Sequence, residues 1–442
     1  MPSPPLSSTS PRDWRYTAEG GANLVLSFVG PLSSPFTSHI LRLRKRKIGA
    51  APRGVDEVVP SEVEVDFGER VVAPLLGRNS VVDMHKVELE RPWLEGLVRE
   101  LREEGSRPAG REAEDEVDLD APVGVLAEDL IAGEGVASVE IKPKWGFLPS
   151  RRWLSPETAD VKSTHCRTCM HRYYKLCKSG EETKGHDGFC PLELYSGDEE
   201  RTRSALEELY CAWEESDDTL NNLRLFHEGK RLLPADSSGP KPEHPLVSAM
   251  LRLSPLCVAD SHCSPLCTSL ARALVASPLL RTLARLQASL DALDIEGLAT
   301  LLLEHPSTQA DLFAPADRAA AEVAKLGPQP SLAEWEALLA RLGPALSRGP
   351  EATAQALREG SPRDAVLAYL LSATLKDCSL IVRFPPAAEG GQGSVSVKAI
   401  DLDPKPIARM AKYARMDREI VECWKQRLEQ LGEGEAVRRC RE

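Results

Sequence analysis

Aromatic side chains are scarce in this chain of 442 residues, only 5% of the total, so any core must rest on leucine, valine, alanine and isoleucine. No uninterrupted apolar stretch approaches the ~20 residues that span a bilayer, so no membrane helix and no membrane partner are expected. The N-terminus, MPSPPLSSTSPRDW, lacks the basic start and apolar run of a secretory signal. The phosphate-loop pattern GxxxxGK followed by Ser or Thr does not occur, and there is no internal repeat. Basic charge is in deficit too. A formal net charge of −12 argues against a surface coated for nucleic acid, although a local basic cleft creates its own field. Eleven cysteines are present. With no export signal they are expected as reduced thiols, with clustered ones available for a metal, and the chain is expected in the nucleus, the cytoplasm or both.

The length allows two to four domains or lobes at ~100–200 residues each. Residues 1–12 are rich in Ser and Pro and are expected to be disordered. Asn23–Phe28 (NLVLSF) and His39–Leu43 (HILRL) are short and β-favourable. One helix is expected over Trp93–Glu103, and the acidic run Glu112–Asp120 as a solvated loop. Val136–Lys144 is a strand candidate and residues 198–215 a helix. Residues 264–371 are Leu/Ala-rich with helical spacing, broken at Pro306, Pro328 and Pro350. Ala365–Lys376 is a further helix, followed by a hairpin of Leu380–Phe384 with Ser394–Ile400 and a last helix from Pro406 to about Leu431. Strands come first and helices later, which predicts an α+β protein of two lobes. The expected division is 13–135 as a β-rich N-terminal lobe and 136–442 as a C-terminal lobe, with a helical insertion over about 264–362.

Several short motifs carry chemistry. Gly20, Gly21, Ala22 and Asn23 lie between two strands, where small residues let backbone N–H groups approach phosphate oxygens; a plain hairpin turn would read the same. Arg42 and Arg44 share one face of the basic strand LRLRKRK by the period of two, suited to nucleotide phosphates or equally to a solvated edge. Glu140, Lys142 and Lys144 share another strand face, a phosphate rail or an edge blunted by lysine and proline. The order helix, Asp377, hairpin, Asp401, helix resembles the catalytic segment of protein kinases. There the first aspartate orients or deprotonates the attacking hydroxyl and the second holds Mg²⁺. Lys405, Arg409 and Tyr413 follow at helical spacing and line one stripe. Finally, Cys166, Cys169, Cys190 and nearby histidines supply zinc-ligand chemistry. His171 is the expected fourth ligand and His186 the reserve, and a four-ligand site would be structural.

Taken in order, the stretches WRYTAEGGANLVL, HILRLRK, VAPLLG, SVEIKPKWGFLPS, CRTCMHRYYK, CPLELYSG, NNLRLF, SATLKDCSL and IDLDPKPIARM resemble the inositol-pentakisphosphate 2-kinases, from about Trp14 to Lys425. The Glu-x-Lys-Pro-Lys segment is particularly distinctive of that family. The resemblance implies a two-lobed fold like that of inositol polyphosphate kinases and protein kinases. It also implies ATP and Mg²⁺ as cofactors and transfer of phosphate to the 2-hydroxyl of inositol pentakisphosphate by a protein that is expected to be a monomer. Gly20–Asn23 would cover the ATP phosphates, and Arg42, Glu140 and Arg224 would lie on the nucleotide side. Lys142 and Asp377 would be catalytic, with Asp377 activating the hydroxyl, and Asp401 would hold Mg²⁺. Arg111, Lys144, Lys175, Asn221, Lys405, Arg409 and Tyr413 would contact substrate. The zinc site of plant members is absent here, since residues 302–365 contain no Cys and only His305. The Cys166 cluster looks like the animal members instead, and His171 also aligns with a histidine in members that lack those cysteines. The other readings are a zinc-stabilised protein that binds polyphosphate or RNA without catalysis, and an inositol phosphate kinase acting at another position.

Overall fold

The computed structural model describes residues 5–49, 61–180, 188–216, 219–220, 222–234, 264–386, 394–430 and 437–442. Two antiparallel sheets organise it. The first takes its strands from the first third of the chain: β1 (Trp14–Glu19), β2 (Asn23–Phe28), β3 (His39–Lys47), β4 (Met84–Glu88), β5 (Asp115–Val117) and β6 (Val123–Glu128). Their order is β1-β2-β3-β6-β4, with β5 paired to the far end of β3. The second contains β7 (Ala137–Ile141), β8 (Leu223–His227), β9 (Lys230–Leu232), β10 (Ser379–Phe384) and β11 (Ser396–Ile400), in the order β11-β10-β7-β8-β9.

Strand β3 explains how the first sheet is built. Leu41 and Leu43 point to one side, where they pack with Leu24, Leu26 and Leu126. Arg42 and Arg44, on the other face by strand alternation, meet the short helix Ser61–Phe67. The apolar side is covered by the helix Arg91–Glu104, whose Trp93, Leu94, Leu97 and Leu101 recur at helical spacing and are buried. Gly105, at φ 59°, ends that helix in the left-handed conformation that glycine adopts without steric cost.

Three expectations are corrected here. Residues 5–12 are ordered: two 3-10 turns place Leu6 in the first core at 2% exposure, and Arg12 pairs with Glu100. The acidic run is no solvated loop. Ala109–Glu114 is helical, and Asp115 in β5 is buried because Lys45 and Arg107 neutralise it. The basic strand is no solvated edge either, since β3 lies between β2 and β6.

The second sheet sits in a larger core. Val139, Ile141, Leu380 and Val382 pack with the helices Leu279–Leu290 and Pro362–Lys376. The latter is buried on nearly every side, as a helix apolar all round must be. Ser361 caps it by accepting from Arg363 N–H at 3.1 Å, and Pro362 occupies its first position. Pro350, expected to break helical structure, opens the helix Pro350–Glu359 for the same reason. A third cluster joins the helix Arg167–Ser179 to the helix Met410–Gln430 through Met170, Ile420, Val421 and Trp424. Among the described residues no helix is long and apolar enough to cross a membrane.

Candidate active site

Register brings the central groups to one end of the second sheet. Ser379 pairs with Ile400, and Leu380 pairs with Ile141, which pairs in turn with Leu223. Asp377 and Asp401 therefore flank the same end of the β10–β11 hairpin. Lys142 leaves β7 beside them, its N–H bonded to the carbonyl of Asn222 at 2.9 Å. Asp377 caps the C-terminus of the long buried helix and contacts the Lys405 ammonium. Its side chain is 61% exposed, so a ligand can reach it. Enclosure by protein pushes the Asp377 carboxyl up, but Lys405, Lys142 and Lys144 outweigh that and hold it below its ordinary value. Asp401 behaves in the opposite way. Enclosure, with Glu140 and Asp403, raises it against Arg42 and Lys142, while the residue stays open to solvent. A group accessible yet surrounded lies on the floor of a cleft. Its backbone is left-handed, φ 58°, a conformation that costs a non-glycine residue ~1–2 kcal/mol and is retained where the surroundings impose it.

Arg42 reaches this floor from the first sheet. Its guanidinium lies 2.7 Å from Glu64 and 3.6 Å from Asp403, and Arg44 holds the other oxygen of Glu64 at 2.8 Å. Burial pushes the Glu64 carboxyl up to about 7, with Asp403 adding to the shift and both arginines opposing it. On the second sheet, Glu140 accepts from Ser379 at 2.8 Å and from Arg224 at 3.3 Å. The Gly20–Asn23 turn closes on a 2.9 Å bond from Gly20 N–H to Asn23 O. Neither glycine has a positive φ, and a Cβ added to either meets nothing within 4 Å. The turn does not require glycine, and the space beside both residues is open. Behind the turn, Glu19 is buried in a cluster with Lys45, Arg107 and Asp115.

The cationic side is built from Lys144, Lys175, Lys405 and Arg409. Lys144 is left-handed, φ 61°, and burial, then Lys142 and Lys175, bring its ammonium down to about 8 while Asp377 opposes them. Lys175 is exposed on the helix Arg167–Ser179, and its charge is felt at Lys144 and at His171. Tyr413 lies near Lys405 and Arg409, whose charges oppose the rise that burial gives its hydroxyl. Arg111 lies apart from these in the first third of the chain, exposed on the helix Ala109–Glu114, with its charge felt at Tyr16. Asn221 lies outside the described residues.

The thiols form a separate centre. Cys166, Cys169, Cys190 and Cys440 bring their sulfurs within 4.8 Å of one another. The thiols share hydrogen bonds, so one of them, Cys190, is favoured as thiolate while Cys166 and Cys169 are pushed up; it is the convergence of four sulfurs that suits a metal. Cys440, in the C-terminal tail, takes the place expected for His171. Cys166 caps the Arg167–Ser179 helix and Cys169 sits in its first turn, whereas His171 lies beyond the group. Burial and the charges of Arg167, Lys175 and Lys144 depress its imidazole to about 4, and His186 lies outside the described residues.

Sequence reasoning missed Glu64, Asp403 and Cys440. Asp403 had a signal, since Asp-Leu-Asp puts two carboxylates at the spacing of one strand face. Glu64 and Cys440 had none, because their partners lie far away in the chain.

Two acidic groups at one sheet end, with Arg42 from the first sheet and Lys142, Lys144 and Lys405 beside the second, are what a phosphotransferase for a polyanionic substrate requires. The profile of the inositol-pentakisphosphate 2-kinase family matches residues 16–419. An inositol-pentakisphosphate 2-kinase from Cryptococcus neoformans is 33% identical over 439 residues, 95% of each chain. One from Arabidopsis thaliana is 28% identical over 486 residues, 97% of each. One from Danio rerio is 30% identical over 237 residues, 51% of this chain and 45% of that one. The chain belongs to the inositol-pentakisphosphate 2-kinase family and is a transferase.

Proposed function

We propose that the chain transfers the terminal phosphoryl group of ATP to the 2-hydroxyl of inositol 1,3,4,5,6-pentakisphosphate, giving the hexakisphosphate. The supporting observation is the electrostatic contrast between two aspartates at one sheet end. Asp377 is exposed and held ionised by three lysines, while Asp401 sits on the cleft floor beside Arg42. Asp377 accepts the hydrogen bond of the attacking hydroxyl and orients it. Lys142, whose charge acts on both aspartates, stabilises the negative charge between donor and acceptor.

The sheets divide the labour as two lobes in a kinase-like arrangement, with residues 13–135 forming one and 136–442 the other. Gly20–Asn23 covers the nucleotide phosphates, and Arg42 is their cation, positioned by Glu64. Glu140 and Arg224 line the nucleotide side. Asp401, with Asp403 near it, suits a divalent ion because carboxylate oxygens are hard ligands. Bound Mg²⁺ neutralises phosphate charge during transfer. Lys144, Lys175, Lys405, Arg409 and Tyr413 hold the substrate phosphates, since several charge-assisted contacts are needed for so many negative charges. Arg111 and Asn221 are further substrate contacts. The reading takes the chain to act as a monomer.

Four thiols so close together fit one tetrahedral zinc with no open position, a structural site. It would fasten the start of the helix that carries Lys175 to the C-terminal tail. A polyanion binder without catalysis is disfavoured, because two carboxylates beside an anion site repel the ligand. The test is Asp377→Asn, which is expected to abolish turnover while calorimetry still detects inositol pentakisphosphate binding. Full turnover by that variant removes Asp377 from its role.

A further inference from the structure

We infer that Gln287 is a positioning residue that locks the substrate-binding loop at Lys144 to the helix end that presents Asp377. This rests on the roles proposed above for those two residues. Gln287 lies in the third turn of the helix Leu279–Leu290 and is completely buried. Its amide nitrogen donates to the carbonyl of Lys144 at 3.1 Å and to that of Leu375 at 2.9 Å. Its oxygen accepts from Gly146 N–H at 2.8 Å. The Tyr195 hydroxyl, 3.4 Å from the same amide nitrogen, donates a second bond to the Lys144 carbonyl at 3.3 Å.

The two carbonyls are unusual. Lys144 has left-handed backbone, φ 61°, so something must hold its peptide in place. Leu375 lies in the last turn of the Pro362–Lys376 helix, where carbonyls have no intrahelical partner. One primary amide, with two protons to give and one oxygen to accept, answers both and the Gly146 N–H as well. Gly146 closes the clamp from outside, because a Cβ there would stand 2.7 Å from the Tyr195 ring. Ser372 Oγ donates to the main-chain carbonyl of Gln287 at 2.9 Å, fixing its helix against the one that ends at Asp377. Gln287 cannot touch substrate. Its effect on the reaction runs through the separation of the Lys144 ammonium and the Asp377 carboxylate.

Burial without a direct contact predicts a particular kinetic pattern. Gln287→Met keeps length and approximate volume but loses both donors and the acceptor. The expected result is a fall in kcat on the order of tenfold to a hundredfold, as for a small misplacement of reacting groups, with the KM for ATP within about twofold. Gln287→Glu separates positioning from packing. Its carboxylate keeps the acceptor for Gly146 but can donate only when protonated, so its activity relative to wild type should rise as pH falls, unlike that of Gln287→Met. Tyr195→Phe removes one of the two donors to Lys144 and is expected to give a smaller loss of kcat. It keeps the test decisive if the Gln287 variants do not fold. Wild-type kcat in Gln287→Met, or equal loss in kcat and in ATP affinity, overturns the inference, as does wild-type kcat in Tyr195→Phe if the Gln287 variants do not fold. The arm with Asp377→Asn separates the two levels: undiminished turnover there sinks the proposed site, whereas its loss beside an unaffected Gln287→Met sinks only the clamp.

Discussion

Lys144 carries an ammonium brought down to about 8 by burial and two neighbouring lysines. The sign follows directly. Below that value the group is charged and can hold a phosphate; above it the charge is lost. The kcat/KM for the polyphosphate should therefore fall as pH rises past about 8, a limb belonging to the free enzyme. Lys144→Arg should remove the limb, because guanidinium stays charged, and an unchanged alkaline limb in that variant would take Lys144 out of substrate binding. A second expectation concerns the bare turn. Gly21→Ala meets no neighbour and no strained φ, so stability should stay within about 0.5 kcal/mol while the KM for ATP rises severalfold. A large stability loss with normal ATP binding would make the glycines structural. The place of Asp377, between a helix and a hairpin, was legible because those neighbours are local signals. The strand expected to carry Lys142 and Lys144 on one face with Glu140 is corrected: β7 ends at Ile141, and the left-handed backbone of Lys144, φ 61°, takes it out of the extended run. Glu64 was not legible, since its meaning comes from Arg42 and Arg44 across a packing interface. Gln287 left only a faint trace, a polar residue at i+4 from Leu283 on an apolar stripe.

At the scale of elements, β2 is read from sequence residue for residue, because its alternation and its turn are local. The expected strand at His39–Leu43 runs on to Lys47. What extends it is a set of acidic partners brought in from elsewhere: Glu19 and Asp115 take the charge of Lys45, from 26 and 70 residues away. The Ser61–Phe67 helix was missed for a related reason. Its helical turns continue without a break through Gly68–Val72 to Leu76, where Phe67, Val71 and Val72 join the larger core, and its Glu64 meets Arg42 and Arg44. Removing that carboxyl takes from both cations the partner they share, while Arg42 keeps Asp403 at 3.6 Å, so Glu64→Ala should lower the unfolding free energy by about 1–3 kcal/mol in urea titration; a change under about 0.5 kcal/mol would mean the pair is solvated. The thiol centre acts on elements as well. Cys166 and Cys169 hold the first turn of the Lys175 helix and Cys440 holds the tail. Metal analysis should find about one zinc per chain, lost in Cys169→Ser with a lower Tm. Native protein without zinc would leave these as ordinary buried thiols.

For the whole molecule, the change from strands to helices along the chain was readable, as was the α+β class, because hydrophobic period and Pro/Gly punctuation are local signals. How the parts meet was not. The two sheets are tied through Arg42 to Asp403, through the Lys398–Glu128 pair and through a bridge between Val81 and Ala399, all of which depend on tertiary packing. Those ties bring Arg42 beside Asp401 and Asp403; on the proposed reading, a nucleotide held by the first sheet would face an acceptor held by the second. Incubation of the purified chain with ATP, Mg²⁺ and inositol 1,3,4,5,6-pentakisphosphate, with separation and positional analysis of the products, tests this most directly. The predicted result is inositol hexakisphosphate formed in step with ADP. Absence of the hexakisphosphate, or release of ADP without transfer to the inositol ring, would contradict it.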